Sequence, residues 1–145
     1  MTRGEKAKAL FEQGYNCSQS VFLAFEDVIG LDRDSAVKLS AGFGGGFGRM
    51  REVCGAVSGM TAVISYFNAC TDPADHEKKK ALYSLIQQAM GEFKAENGSY
   101  ICRELLGLEG ASQPAPEKRT EAYYHKRPCG ELCRCAADSA EKYIK

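Results

Sequence analysis

The chain carries seven cysteines, at positions 17, 54, 70, 102, 129, 133 and 135, and two histidines, at 76 and 125. Thiols in that number suit two chemistries: reversible thiol–disulfide exchange, or ligation of a soft metal or an iron–sulfur cluster. An odd count makes a poor disulfide framework. The opening MTRGEKAKAL has basic residues but no apolar run behind them, so no secretion signal is read and a reducing, cytoplasmic location is expected. Cys129–Cys133 is a CxxxC and Cys133–Cys135 a CxC, and the CxxC knuckles of a structural zinc site do not occur. The chemically silent reading of any one cysteine is a small buried core residue. Hydrolysis has no support, because no Ser-His-Asp arrangement can be assembled.

Helical periodicity supplies the elements that must position these sulfurs. Ala7, Leu10 and Phe11 mark a first helix ending near Gly14. Asn16 is a natural N-cap for a second, with Cys17, Val21, Ala24, Phe25 and Val28 facing inward and Gly30 closing it. A third begins near Asp32 and carries Val37 and Leu39. The glycine-rich stretch 41–48 breaks the pattern. It lacks the Lys-Ser/Thr ending of a phosphate-binding loop and follows no strand, so its glycines predict positive φ and close backbone approach instead of nucleotide binding.

The next helix is expected from around Met50–Val53 to about Asn68. Gly55, Ala56, Ser58, Gly59, Thr61 and Ala62 give it the small-residue surface of an enclosed central helix. Between Asp72 and Asn97, the stripe Leu82, Leu85, Ile86, Ala89, Met90 and Phe93 predicts a long amphipathic helix stopped by Gly98. A short helix is expected over Tyr100–Leu106, a long loop containing Pro114 and Pro116 over Glu109–Arg127, and a last helix over Gly130–Ile144. With no strand candidate and no internal repeat, residues 1–145 read as one all-α domain, a compact multi-helix bundle with a central small-residue helix after a Gly-rich loop.

Composition narrows the partners. Nineteen basic residues balance nineteen acidic ones, without the basic surplus expected of a nucleic-acid binder. The most apolar stretch, Ala56 to Phe67, is shorter than the roughly 18–20 residues a membrane span needs.

Three thiols fall near expected helix starts: Cys17 after Asn16, Cys54 in the opening turns of the central helix, and Cys102 shortly after Ser99. Unpaired amide N–H groups at such positions favour the thiolate, so lowered thiol pKa values are expected there. Arg49 and Arg51, close in sequence to Cys54, could stabilise a thiolate or attract an anion. Glu52 could transfer a proton, or simply complement a helix dipole. His125 could approach the C-terminal cysteines but reads as an exposed loop residue, His76 as a solvated one, and Cys70 as incidental.

These residues carry a resemblance. CGAVSG from Cys54 to Gly59 has the form CGAxxG. Asn16-Cys17-Ser18-Gln19 precedes it, Cys102 opens a CRELLG segment, and a further cysteine stands in an Ala-rich final helix. The chain resembles the C_GCAxxG_C_C family of putative redox-active proteins, which have four characteristic cysteines. The resemblance implies a redox role without naming a substrate. Cys17, Cys54 and Cys102 match the family positions directly. For the fourth, Cys133 places Ala140 and Ile144 at the small and apolar positions of the family's last helix, and Cys129 competes with it. Arg51 stands where a small residue is expected, and Cys70, Cys129 and Cys135 are additional.

Three readings follow. In the first, Cys17, Cys54, Cys102 and Cys133 conduct thiol–disulfide electron transfer with a partner protein or a small oxidant. Cys54 is then the nucleophile, Cys17 or Cys102 resolves, and no cofactor is required. Such a protein could be a carrier or a thiol–disulfide oxidoreductase. In the second, the same four cysteines hold zinc or an iron–sulfur cluster. In the third, the helices are a scaffold and the cysteines pack its interior. None of the three calls for nucleic acid or a membrane.

Overall fold

The computed structural model describes residues 1–144, apart from the side chain of Lys126. The protein is all-α. Its helices are α1 (Arg3–Glu12), α2 (Cys17–Leu23), α3 (Arg33–Ser40), α4 (Gly44–Phe47), α5 (Gly55–Asn68), α6 (His76–Asn97), α7 (Cys102–Leu106), α8 (Glu121–Lys126) and α9 (Cys129–Glu141). Among the described residues, extended pairing is confined to one isolated bridge between Val53 and Ile101, and no helix is long and apolar enough to cross a membrane.

Side-chain caps fix several helix starts. Thr2 with Glu5, and Asn16 with Gln19, form reciprocal capping boxes at α1 and α2, each satisfying two otherwise orphaned amide donors. Asp32 and Asp75 cap α3 and α6. Gly98, at φ 93°, ends α6 in the left-handed conformation at the expected place.

The core forms around α5. Its Ala56, Val57, Met60, Val63 and Ile64 are fully buried between α2, α6 and α9, while α1 packs most extensively on α9. Phe11, Phe25, Phe93 and Leu23 complete the large buried side chains, each contributing about 1.5–3 kcal/mol relative to exposure. The small-residue surface of α5 has a direct steric reason at Gly59. A Cβ there would stand 2.8 Å from the Ser18 carbonyl oxygen and 2.9 Å from Val21 Cβ, so any larger residue would force α2 away.

The structure corrects several sequence expectations. α2 stops at Leu23, and the chain then winds through turns. Phe25 stays buried, but Val28 swings outward and is 43% exposed, and Leu39 on α3 is 61% exposed. α5 begins at Gly55 because Phe47, Arg49 and Arg51 all take left-handed φ, which no helix tolerates. The glycine stretch is itself coiled, with a 3-10 turn over Ala41–Phe43 and α4, in which Gly45 and Gly46 have φ of 67° and 71°. The expected loop 109–127 contains α8, capped by Thr120. The last helix starts at Cys129, one residue before the expected Gly130.

Candidate functional site: a cleft where four helices begin

Four helices open onto one cleft of about 440 Å³. Cys17, Cys102 and Cys129 are the first residues of α2, α7 and α9, and Cys54 is the residue immediately before α5. All four line the cleft.

Each cysteine is held by its own local chemistry. Asn16, whose side chain accepts from Gln19 N–H, also donates to the Ala41 carbonyl at 2.9 Å, tying the start of α2 to the glycine segment. Cys54 N–H donates to the Tyr100 carbonyl at 2.9 Å, and Cys102 N–H to the Glu52 carbonyl at 2.6 Å. The segments carrying Cys54 and Cys102 are thus clasped side by side. Gly46 permits this: its left-handed backbone lies so close that a Cβ would fall 2.7 Å from Glu52 N and 2.8 Å from Cys102 Cβ. Pro128 ends the preceding turn and starts α9 at Cys129.

The sulfurs influence one another. Cys17, the least enclosed of the four, is within hydrogen-bonding reach of both Cys129 and Cys133. Cys133 is 0% exposed and does not line the cleft; it sits beneath Cys17, with its thiol 3.8 Å from the Cys17 carbonyl oxygen. On α9, Cys129 and Cys133 are one turn apart and face the same way, with Cys129 at the cleft wall and Cys133 in the core. Cys70 and Cys135 lie elsewhere. Cys70 donates to the Asp72 carbonyl, and Cys135 donates to Glu96 while accepting from Asn97.

The expected lowering of thiol pKa does not occur. Burial pushes Cys54 up to about 12, although the Val57 and Ala56 N–H groups of its own helix pull the other way. Burial likewise raises Cys102 and outweighs Arg51, whose guanidinium donates to the sulfur at 3.6 Å. Cys129 is raised by its hydrogen bond to Cys17 and by burial. At Cys17 the bond from Cys129 favours the thiolate, but the bond with Cys133 and burial prevail, and the thiol is pushed well above its ordinary value. Cys133 is raised by burial. The helix dipole is present at these positions, but desolvation is larger. The resting cleft therefore holds neutral thiols.

Arginines complete the walls. Arg51 is only 6% exposed; its Nε donates to the Ser112 hydroxyl at 2.9 Å. Arg49, Arg119 and Arg127 also line the cleft, with Glu117 as the sole carboxylate among its lining residues. Arg119 and Arg127 escaped the sequence reading. They sit on segment 109–127, which covers the cleft because Arg119 donates to the Phe11 and Tyr15 carbonyls at 2.7 and 3.0 Å and lies over the Phe11 ring. The one available signal was the length of that segment, since long connections in compact domains tend to be functional. Glu52 points away, ion-paired to Arg103 at 3.0 Å. His76 and His125 are exposed and do not line the cleft.

Among the described residues, no three His, Cys, Asp or Glu side chains stand in an arrangement that could hold a metal ion. The expected zinc or iron–sulfur set Cys17, Cys54, Cys102 and Cys133 is not gathered as such a group in this structure.

No curated protein and no solved structure matches the chain significantly. A family model described as "Putative redox-active protein (C_GCAxxG_C_C)" matches residues 15–143, which span every helix that brings a cysteine to the cleft. The chain belongs to the C_GCAxxG_C_C family.

Proposed function

We propose that the protein carries out thiol–disulfide electron transfer at this cleft, with Cys17 and Cys129 as the working pair. One observation carries the reading: cysteines from four distant segments of the chain open onto a single cleft at four helix starts. Cys17 is the most accessible of them, so it meets an incoming disulfide first, and Cys129 is the cleft thiol whose proton affinity it most affects. Its thiolate attacks one sulfur of that disulfide and releases the other as a thiol. Cys129 then attacks the Cys17 sulfur and releases the second thiol. Two electrons and two protons pass to the substrate, and a Cys17–Cys129 disulfide remains. This assignment moves the nucleophile from Cys54 to Cys17 because Cys54 is almost fully enclosed, whereas Cys17 is half-buried. It gives the resolving role to Cys129 in place of Cys17 or Cys102, and takes Cys129 over Cys133 as the fourth site cysteine because Cys133 does not line the cleft.

The partner in this reading is a protein disulfide or a small disulfide, and no resident cofactor is needed. Reaction with an aromatic disulfide, in a Cys70→Ser/Cys135→Ser background, tests it. The Cys17→Ser variant should lose the fast phase. The Cys129→Ser variant should stop at a mixed disulfide on Cys17, visible by mass. Unchanged kinetics in both, or reaction only after unfolding, would overturn the reading, the latter in favour of a packed scaffold.

A further inference from the structure

Arg51 is a buried cation without a carboxylate. Its residue is 94% enclosed, since only 6% of its surface is exposed, and its named partners are the Ser112 hydroxyl and the Cys102 sulfur. Among the described residues, no Asp or Glu oxygen lies within 4.0 Å of its guanidinium. Arg49 has the same deficit in milder form. Its Nε is buried with no hydrogen-bond partner, and its guanidinium meets Glu117 only at 3.9 Å, on a carboxylate that Arg127 already engages closely. Four arginines and one carboxylate therefore face a cleft in a chain of zero formal net charge. The neighbouring thiols, neutral at rest, supply no countercharge.

Desolvated charges without partners are unfavourable and are ordinarily paired. The backbone adds a second cost at the same two residues. Arg49 and Arg51 are held at φ of 68° and 61°, where a side chain other than glycine's costs about 1–2 kcal/mol per residue. Such strain persists where the surrounding structure enforces it, commonly at ligand sites. Here the enforcement is visible: Arg51 N–H donates to the Gly45 carbonyl at 3.1 Å, and the Arg49 carbonyl accepts from Ser112 N–H at 2.9 Å.

We propose that the cleft binds a small oxyanion through Arg51 and Arg49, beside the Cys102 sulfur. The anion site stands on the arginine geometry alone. Its use as the anchor for a substrate rests on the thiol reading above, and makes that substrate a small disulfide bearing a carboxylate, sulfonate or similar oxyanion group. The guanidinium groups offer paired donors to such a group and would hold its sulfur end against the cleft thiols.

Two measurements on the reduced full-length protein test this. In the first, sulfate is titrated by calorimetry at constant ionic strength set with chloride. Saturable binding is expected for wild type, and a loss of about tenfold or more in affinity for Arg51→Gln, the scale of one partly screened guanidinium–anion attraction. Arg49→Gln serves as the second variant should Arg51→Gln lose its helical circular dichroism. In the second, cleft-thiol alkylation by iodoacetate is compared with that by neutral iodoacetamide, each relative to free glutathione. The anionic reagent should be favoured about tenfold in wild type, and the preference should vanish when sulfate fills the site. Absence of saturable sulfate binding, or equal binding by wild type and the folded variants, would overturn the site. Sulfate binding with cleft thiols inert to both reagents would leave the anion site standing and sink its role as a substrate anchor.

Discussion

Raising the pH above the ordinary thiol range tests the burial of Cys54. In the folded protein burial holds this thiol up to about 12, against an ordinary value of 9.0. A thiol pKa raised by folding gives stability that is fully present below pH 9 and is lost as pH climbs towards 12, because the unfolded chain releases the proton first. Within that window each pH unit removes about 1.4 kcal/mol, so between pH 8 and pH 10 this thiol alone should cost the protein about 1.4 kcal/mol. Cys17, Cys102, Cys129, Cys133 and Tyr123 are raised in the same direction, so the signal is the difference from Cys54→Ala. That variant should be about 1 kcal/mol less stable than wild type at pH 8, from lost packing, and should catch up or overtake it by pH 10. Urea unfolding followed by circular dichroism, with a phosphine reductant present, measures both proteins at both pH values. Parallel losses in the two would refute the desolvation argument. A wild-type advantage that grows with pH would show instead that the start of α5 stabilises a thiolate.

Other substitutions probe the supports of the cleft. Gly46→Ala should destabilise by about 2–4 kcal/mol in urea, since it combines positive φ with a Cβ only 2.8 Å from Cys102 Cβ. Gly48→Ala, at φ 58° with open space around it, should cost about 1 kcal/mol and serves as its control. Asn16→Ala removes the α2 capping box and the tie to Ala41, and should cost about 1–2 kcal/mol by the same assay. Arg119→Gln releases segment 109–127 from the Phe11 and Tyr15 carbonyls. The cleft thiols should then alkylate several-fold faster and the segment should become a preferred site of limited proteolysis.

Features set by local chemistry were legible in the sequence. Asn16 reads as a cap because it is a residue of capping type standing just before the apolar stripe that begins at Cys17, and the structure places the start of α2 there. Gly98 reads as a stop because it alone at that point accepts a left-handed φ. The small residues of 55–62 announce close packing, and Gly59 shows its reason against Ser18 and Val21. What depended on tertiary packing was not legible. Helix starts suggest low thiol pKa values, but the opposing burial of Cys54 and Cys102 comes from segments distant in the chain. Cys129 and Cys133 share a helix face, and nothing local says which of them meets the cleft; that is decided by how α9 docks on α1 and α5. Val28 and Leu39 fit an inward stripe, but the turn after Leu23 rotates the first outward and α3 leaves the second uncovered. The polar, proline-containing stretch before α8 hides its function because it works as a cover held by single arginines, without a periodic apolar face.

The central claim, that the cleft sulfurs exchange electrons as a unit, is tested most directly by equilibrating the native protein with a graded glutathione redox buffer, quenching with acid and mapping the resulting bonds by peptide mass. The account predicts an intramolecular Cys17–Cys129 bond that forms and disappears reversibly with the buffer ratio. Oxidation confined to Cys70 and Cys135, with the cleft cysteines recovered as free thiols throughout, would contradict it.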